Sequence, residues 1–193
     1  MGFRFENTEI PGVVVVHVDR FEDQRGEFSE TYRASAFAEA GFPAFVQDNR
    51  SRSVERVLRG LHFQRPPHAQ GKLVSAVTGA ILDVAVDLRR DASTFGRFVA
   101  VELTVDNGRM LYVPPGFAHG FYVLQGAAVV AYKQTAEYAP EAEGGLAWND
   151  PRLGIPWPDP DPILSDKDGC YPTLEELLTT FPRSAAHWMG ENA

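Results

Sequence analysis

The chain has 193 residues, 44% of them hydrophobic and 23% charged, and its 18 basic against 26 acidic side chains leave a formal net charge of −8. That length suits one domain, since a chain of this size buries roughly two thirds of its unfolded surface; the acidic balance disfavours a nucleic-acid surface, and no apolar run approaches the roughly eighteen residues of a membrane span. One cysteine, Cys170, rules out an intrachain disulfide, and Met1 to Glu6 carry no apolar core ahead of a small-residue cleavage site, so a reducing cytoplasm is expected.

In chain order, an apolar run over residues 13–18 predicts a strand, and residues 34–40 predict two helical turns ended by Gly41. A short strand is expected over 45–48. Residues 72–78 and 82–88 read as separate strands. In the second, Leu82, Val84, Val86 and Leu88 share one face while Asp83, Ala85 and Asp87 share the other, for which composition slightly favours solvent. Val99, Val101, Leu103 and Val105 alternate with Ala100, Glu102 and Thr104, and Asp106, Asn107 and Gly108 then supply turn chemistry before Met110 to Val113. A hairpin is the natural expectation. Further strands are predicted over 121–124 and 128–135. Seven prolines between Tyr138 and Pro172 argue for a laid-down irregular segment that covers an opening. Thr173 then caps a helix over 174–179, with Glu176 completing a capping box. Many short strands without long crossover helices predict an all-β antiparallel sandwich or barrel rather than a dinucleotide-binding fold.

Four polar constellations carry candidate chemistry. RGLHFQRPPHAQGK, from Arg59 to Lys72, sets His62 between Leu61 and Phe63, the pattern of an imidazole on the polar or cavity side of a strand. Imidazole suits proton removal near neutral pH, and Arg59 and Lys72 supply cations for a phosphate or an enolate. YVPPGFAHGFYVL places His119 beyond a turn. No HxH spacing is present, so a metal-free site is preferred, and His17, His68 and His187 are given surface or packing roles. Tyr132 and Tyr138 present hydroxyls that suit a general acid or a pocket wall, although packing is the default for each alone. In LSDKD, an aspartate such as Asp168 bonded to one imidazole nitrogen would make the other a better base.

With DQRGEFSE, FVQDN, VLRGLHFQ, AQGKLV, ILDVAVDLR, STFGRF, PPGFAHGF, YKQT, GLAWNDP, IPWP and LSDKD in unbroken order, the chain strongly resembles the dTDP-4-dehydrorhamnose 3,5-epimerase family over nearly its whole length. The resemblance implies a cupin-type double-stranded β-helix, or jelly roll, with small peripheral helices, spanning residues 1–193 as one domain. It implies a homodimer whose N-terminal strands contribute to the interface. It implies epimerisation at C3 and C5 of dTDP-4-dehydro-6-deoxy-D-glucose with no cofactor and no metal. By the same resemblance His62 is the base, Asp168 its partner, Tyr132 the acid and Lys72 the enolate stabiliser. Asp83 and His119 form a second polar pair, and Arg25, Gln47, Asn49, Arg59 and Tyr138 contact the sugar nucleotide, with Arg25 reaching a ligand held mainly by the neighbouring subunit. Glu27 stands where members often carry a phenylalanine near the thymine, leaving stacking to Phe21 or Phe28. The tail beyond Leu178, with His187 and Trp188, matches no catalytic motif and is expected to pack against the body or a partner. An enzyme inverting only C3 or only C5, and a sugar-nucleotide binder without turnover, are the alternatives.

Overall fold

Residues 2–179 are described by a computed structural model, which forms from them β1 (Phe3–Asn7), β2 (Val14–Val18), β3 (Arg20–Asp23), β4 (Gly26–Ser29), α1 (Ala34–Glu39), β5 (Gln47–Ser53), β6 (Leu58–Gln64), β7 (Lys72–Asp87), β8 (Phe98–Thr104), β9 (Arg109–Val113), β10 (Phe117–Gln134), β11 (Glu143–Gly145) and α2 (Leu174–Leu178). The architecture follows from β7 and β10, which are 16 and 18 residues long and pair with each other along almost their whole length. Each changes its second partner midway. Residues 72–75 of β7 pair with β9 and residues 80–86 with β8; residues 128–134 of β10 pair with β5, and residues 119–122 with β6. One ladder therefore has two halves, β1-β2-β9-β7-β10-β5 and β8-β7-β10-β6-β11.

The halves lie face to face because their inward side chains make one core. Val15, Val74, Leu111 and Val130 from the first half pack with Ile81, Val99, Leu103, Phe121 and Val123 from the second. This is the jelly-roll arrangement, two antiparallel layers around an apolar filling. The outer face of the first half is covered by α1 and by aromatic rings, with Phe37 packed among Phe3, Phe5, Phe42 and Phe45. The outer face of the second half, built on Leu61, Phe63, Val84 and Val86, is covered by Leu146, Leu153, Leu174 and Leu177. The proline-rich chain is thus anchored by apolar side chains, and α2 begins with the expected capping box between Thr173 and Glu176.

Several expectations from the sequence change at this level. The strand pairs expected at 72–78 and 82–88, and at 121–124 and 128–135, are each one continuous strand. Their breaks are bends between halves: Gly79 sits at φ +76°, and register shifts fall between Val123 and Val130. The hairpin expected around Asp106 to Gly108 does not form. β8 and β9 instead follow one another along the same edge of β7, and Asn107 builds the corner by accepting from the Thr104 and Arg109 N–H groups. Asp83 and Asp87 do not face solvent. Both are 0% exposed, because β7 has a covered face on either side. Asp87 accepts from Arg89 and Thr94, and Asp83 meets His119. The strand expected at 45–48 begins at Gln47 and runs to Ser53, its polar composition having hidden most of it. His187 and Trp188 lie outside the described residues.

Gly79 has a second constraint besides its positive φ, since an added Cβ would stand 2.6 Å from the Ala127 carbonyl oxygen. Gly126, at φ +62°, has nothing within 4 Å. Gly79→Ala is expected to lower the unfolding free energy by about 2 kcal/mol or more, a fall in Tm of roughly 4–8 °C, and Gly126→Ala by about half that. Equal losses in thermal melts of the two variants would show that the contact with β10 is unimportant.

Candidate functional site

Period-two alternation places the polar groups between the halves. On β6, Leu61 and Phe63 turn to the outer cluster, which points His62 and Gln64 inward. On β5, Gln47, Asn49 and Ser51 face in, while Asp48, Arg50 and Arg52 are exposed. Lys72 shares the face of Val74, and His119 that of Phe121. Together they line a cavity of about 400 Å³, with Arg59, Gln70, Tyr132, Gln134, Tyr138 and Glu143 completing its wall. Gly60 and Gly120 let β6 and β10 approach there: an added Cβ on Gly60 would lie 2.6 Å from the Gly120 Cα, and one on Gly120 would lie 2.6 Å from the Arg59 carbonyl oxygen. Next to this contact the register slips, and His62 stands opposite His119.

Each histidine has its own carboxylate. His62 Nε2 lies 2.6 Å from Asp168 Oδ1, across 106 positions of sequence. Asp168 is buried on the 3-10 turn Asp168–Cys170. Burial pushes its carboxyl up, but the His62 hydrogen bond and charge, with help from Ser165 and Gly60, outweigh that and hold it below the usual aspartate range. The carboxylate therefore fixes the imidazole and leaves its other ring nitrogen available. Tyr171 meets the His62 ring edge-on, with centroids 5.7 Å apart. His119 Nε2 lies 2.8 Å from Asp83 Oδ1, both side chains being buried. Burial lowers the His119 pKa, with Asp83 opposing and Lys72 and His62 reinforcing the shift.

Lys72 is the buried cation of the cavity, 8% exposed, with Nζ donating to the His62 carbonyl oxygen at 3.5 Å. Burial lowers its pKa to about 8, against the opposing charges of Asp83 and Glu143. Tyr132 stands on the half opposite His62, paired in register with Asn49 and Val74. Burial raises its pKa, Arg59 opposing, so the phenol keeps its proton. Arg59 Nε donates to Ser53 Oγ at 2.8 Å. A row of carboxamides stiffens the same wall: Gln47 donates to Asn49 at 3.2 Å, Asn49 to Gln134 at 2.7 Å, Gln134 to Gln70 at 2.6 Å and Gln70 to the Ala136 carbonyl at 3.0 Å. Tyr138 donates its backbone N–H to Gln47 Oε1 and its hydroxyl to Glu143 Oε2, both at 2.8 Å.

The structure thus brings together His62, Lys72, His119, Tyr132, Gln47, Asn49, Arg59 and Tyr138 around one cavity, with Asp168 and Asp83 behind the two imidazoles. Arg25 is not among them. It sits in the turn between β3 and β4, pairs with Asp23 and has a side chain that is 90% exposed. Arg50, Ser51, Phe63, Phe121, Gln134 and Glu143 also line the cavity and carry no role from the sequence, and Gln64 and Gln70 belong to the polar run from Arg59 to Lys72 without a role of their own. Counting by two from His62 reaches Gln64, and from Tyr132 reaches Gln134, so that signal was present. His17 pairs with Glu6, and His68 stands near Glu141, both on the surface. Among the described residues no three His, Cys, Asp or Glu side chains gather as a metal site would need. An imidazole hydrogen-bonded to a buried carboxylate, a protonated phenol on the other half and a buried ammonium around the same cavity are a set suited to removal of a carbon-bound proton and its return from the far face.

Residues 7–176 match the family model described as dTDP-4-dehydrorhamnose 3,5-epimerase. The chain is 47% identical over 176 residues to dTDP-4-dehydrorhamnose 3,5-epimerase of Salmonella typhimurium, an alignment covering 90% of this chain and 96% of that one. It is similar to the crystal structure of dTDP-6-deoxy-D-glucose-3,5-epimerase from Legionella pneumophila in complex with dTDP-4-keto-L-rhamnose, with TM-score 0.91, 42% identity, and 96% and 100% of the two chains covered. It is also similar to a 3'-monoepimerase from Streptomyces bikiniensis in complex with dTDP-quinovose, with TM-score 0.88, 34% identity and 95% of each chain covered.

Lys72 gives the site a measurable pH signature. Its folded pKa of about 8 lies below its ordinary 10.5, so between those values the unfolded chain binds the extra proton and stability rises with pH. Compared with Lys72→Met in urea melts, the wild type is expected to gain about 3 kcal/mol across that window. A flat difference between about pH 8 and pH 10.5 would show that Lys72 is not desolvated.

Proposed function

The chain belongs to the dTDP-4-dehydrorhamnose 3,5-epimerase family, and on that premise we propose that it converts dTDP-4-dehydro-6-deoxy-D-glucose to dTDP-4-dehydro-β-L-rhamnose by inverting C3 and C5. The observation that carries this reading is the opposition of His62, held by Asp168 at 2.6 Å, to Tyr132 on the other half of the same cavity. A C4 ketone makes the hydrogens on C3 and C5 acidic. His62 takes one of them as the C–H bond breaks, and the electron pair moves onto O4, where the Lys72 ammonium meets the enolate charge in a low-dielectric setting. The enolate pair then returns to the carbon as Tyr132 delivers its hydroxyl proton to the opposite face, and before the next cycle solvent reprotonates the phenolate and takes the proton from the His62 imidazolium. Two such cycles, one at each carbon, complete an isomerisation with no net redox change, and the scheme draws on neither a nicotinamide nor a metal.

In this reading Asp83 fixes His119 as a neutral polar partner near O4. Gln47, Asn49, Arg59 and Tyr138 hold the sugar nucleotide, Arg59 by its charge. Arg25 serves a neighbouring subunit. It rides on the β3–β4 hairpin with Phe21 and Phe28, which are 45% and 58% exposed and lie opposite each other in register. A hairpin of this kind suits insertion at a partner's cavity, with either ring replacing the aromatic absent at Glu27. The chain is accordingly read as one jelly-roll domain working as a homodimer, and a cytoplasmic site suits its lone cysteine. Sedimentation is expected to give twice the chain mass, and replacing Phe21 and Phe28 with serine is expected to weaken dTDP binding; a fully active monomer would remove the hairpin from the site.

The chemistry is tested by product NMR in deuterated buffer, with deuterium expected at both C3 and C5. Label at one carbon only would reassign the chain to the monoepimerases, and label at neither would leave a binder. His62→Asn is expected to slow both exchanges by about 10²–10⁴-fold. Tyr132→Phe is expected to retain part of the exchange and lose inversion, and an unchanged inversion rate would take Tyr132 out of the acid's role.

A further inference from the structure

We propose that Gln64 is a positioning residue for the sugar nucleotide, acting through Tyr138, an inference that rests on the ligand role given to Tyr138 above. The chain crosses between the two halves twice at one end of the cavity. Residues 65–71 run from the end of β6 in the second half to the start of β7 in the first, and residues 135–142 run from the end of β10, beside β5, to the start of β11, beside β6. Crossing segments have no ladder of their own, so their backbone groups must find partners elsewhere. These two segments hold each other at both ends. At one end the Thr135 N–H donates to the Gly71 carbonyl oxygen at 3.0 Å and the Gly71 N–H to Thr135 Oγ1 at 2.7 Å; at the other the Arg65 N–H donates to the Ala142 carbonyl oxygen at 2.8 Å.

Gln64 fastens the middle. Its buried carboxamide donates through Nε2 to the His68 carbonyl oxygen at 2.6 Å and to the Glu137 carbonyl oxygen at 3.3 Å, and its Oε1 accepts from the Ala139 N–H at 2.9 Å. The carbonyl of residue 137 and the N–H of residue 139 flank Tyr138 and are the pair that a neighbouring strand would engage, so the side-chain amide stands in for a strand. The Tyr138 N–H goes instead to Gln47 Oε1 at 2.8 Å. Gln47 is on β5 and Gln64 on β6, so this one residue is tied to both halves of the fold. A glutamine amide has two hydrogens and one carbonyl oxygen. Both hydrogens of Gln64 are taken by main-chain carbonyls, so although Gln64 lines the cavity it has none left for a ligand, and its influence on binding passes through the segment it holds. The Tyr138 ring is half exposed, so its place at the rim is set by these bonds and by the contact of its hydroxyl with Glu143 rather than by burial. A ligand then meets a rim already in position and does not have to order it.

Amide hydrogen exchange of the free, full-length protein is the first test. The Tyr138 and Ala139 N–H groups are expected to exchange about 10²-fold or more slowly than in an unstructured peptide, and Gln64→Met, which keeps the length of the side chain, to speed both by about tenfold or more. Rapid exchange at Ala139 in the wild type overturns the proposal, and that result needs no variant to fold. Calorimetry with dTDP is the second test. Gln64→Met is expected to raise the Kd about tenfold in the otherwise unaltered protein, and less than about twofold in a Tyr138→Ala background, where there is no ring left to place. The full loss persisting in the Tyr138→Ala protein overturns the proposal, because Gln64 would then act on the ligand or on the barrel directly. Absence of dTDP binding by the wild type would overturn the nucleotide reading and with it the ligand half of the proposal, whereas the exchange rates would still show whether Gln64 holds the segment.

Discussion

The site depends on two strands that belong to both layers at once. β7 and β10 pair from end to end and carry a wall of the cavity on each of their halves, so Lys72 and Asp83 are separated by bends in one strand, and His119 and Tyr132 by bends in another. The spacing between the walls is then set by backbone hydrogen bonding along the two shared strands together with the core packed between the halves. A base and an acid that must address opposite faces of one ring require that kind of fixed spacing, since misplacement by about an ångström is costly in rate.

The cost of the arrangement is concentrated in the buried charges. Lys72, Asp83 and His119 sit where an all-apolar filling would be more stable, and among the described residues Asp83 Oδ2 has no hydrogen-bond partner. Such groups are tolerated because Lys72 and Asp83 offset each other's charge and His119 is bonded to Asp83. Burial, only partly offset by Asp83, depresses the Lys72 pKa, and the same poor solvation makes the ammonium a strong partner for negative charge arriving at the cavity.

Much of this was legible before any coordinates. The strand cores at 13–18, 97–105 and 110–113, both helices and the inward turn of His62 follow from period and capping chemistry alone. What was not legible is tertiary in origin. The Asp106 to Gly108 turn is a corner because β7 continues past it and offers the next strand a partner edge, which local sequence does not encode. Asp83 is buried because both faces of β7 are covered, and alternation distinguishes two faces without saying that either is wet. β5 was underestimated since Gln47, Asn49 and Ser51 are polar residues turned inward, the reverse of the usual pattern. The pairing of His62 with Asp168 rested on family resemblance, as residues 106 apart meet through folding of the whole chain.

The carboxamide row on the cavity wall begins at the Tyr138 N–H, which can only donate, and ends at the Ala136 carbonyl, which can only accept. Those two backbone groups dictate which way Gln47, Asn49, Gln134 and Gln70 all point, because reversing any one amide would oppose like atoms at its neighbours. The wall is therefore a polarised array whose direction is imposed when the chain folds, and an incoming sugar meets dipoles that cannot swivel to greet it.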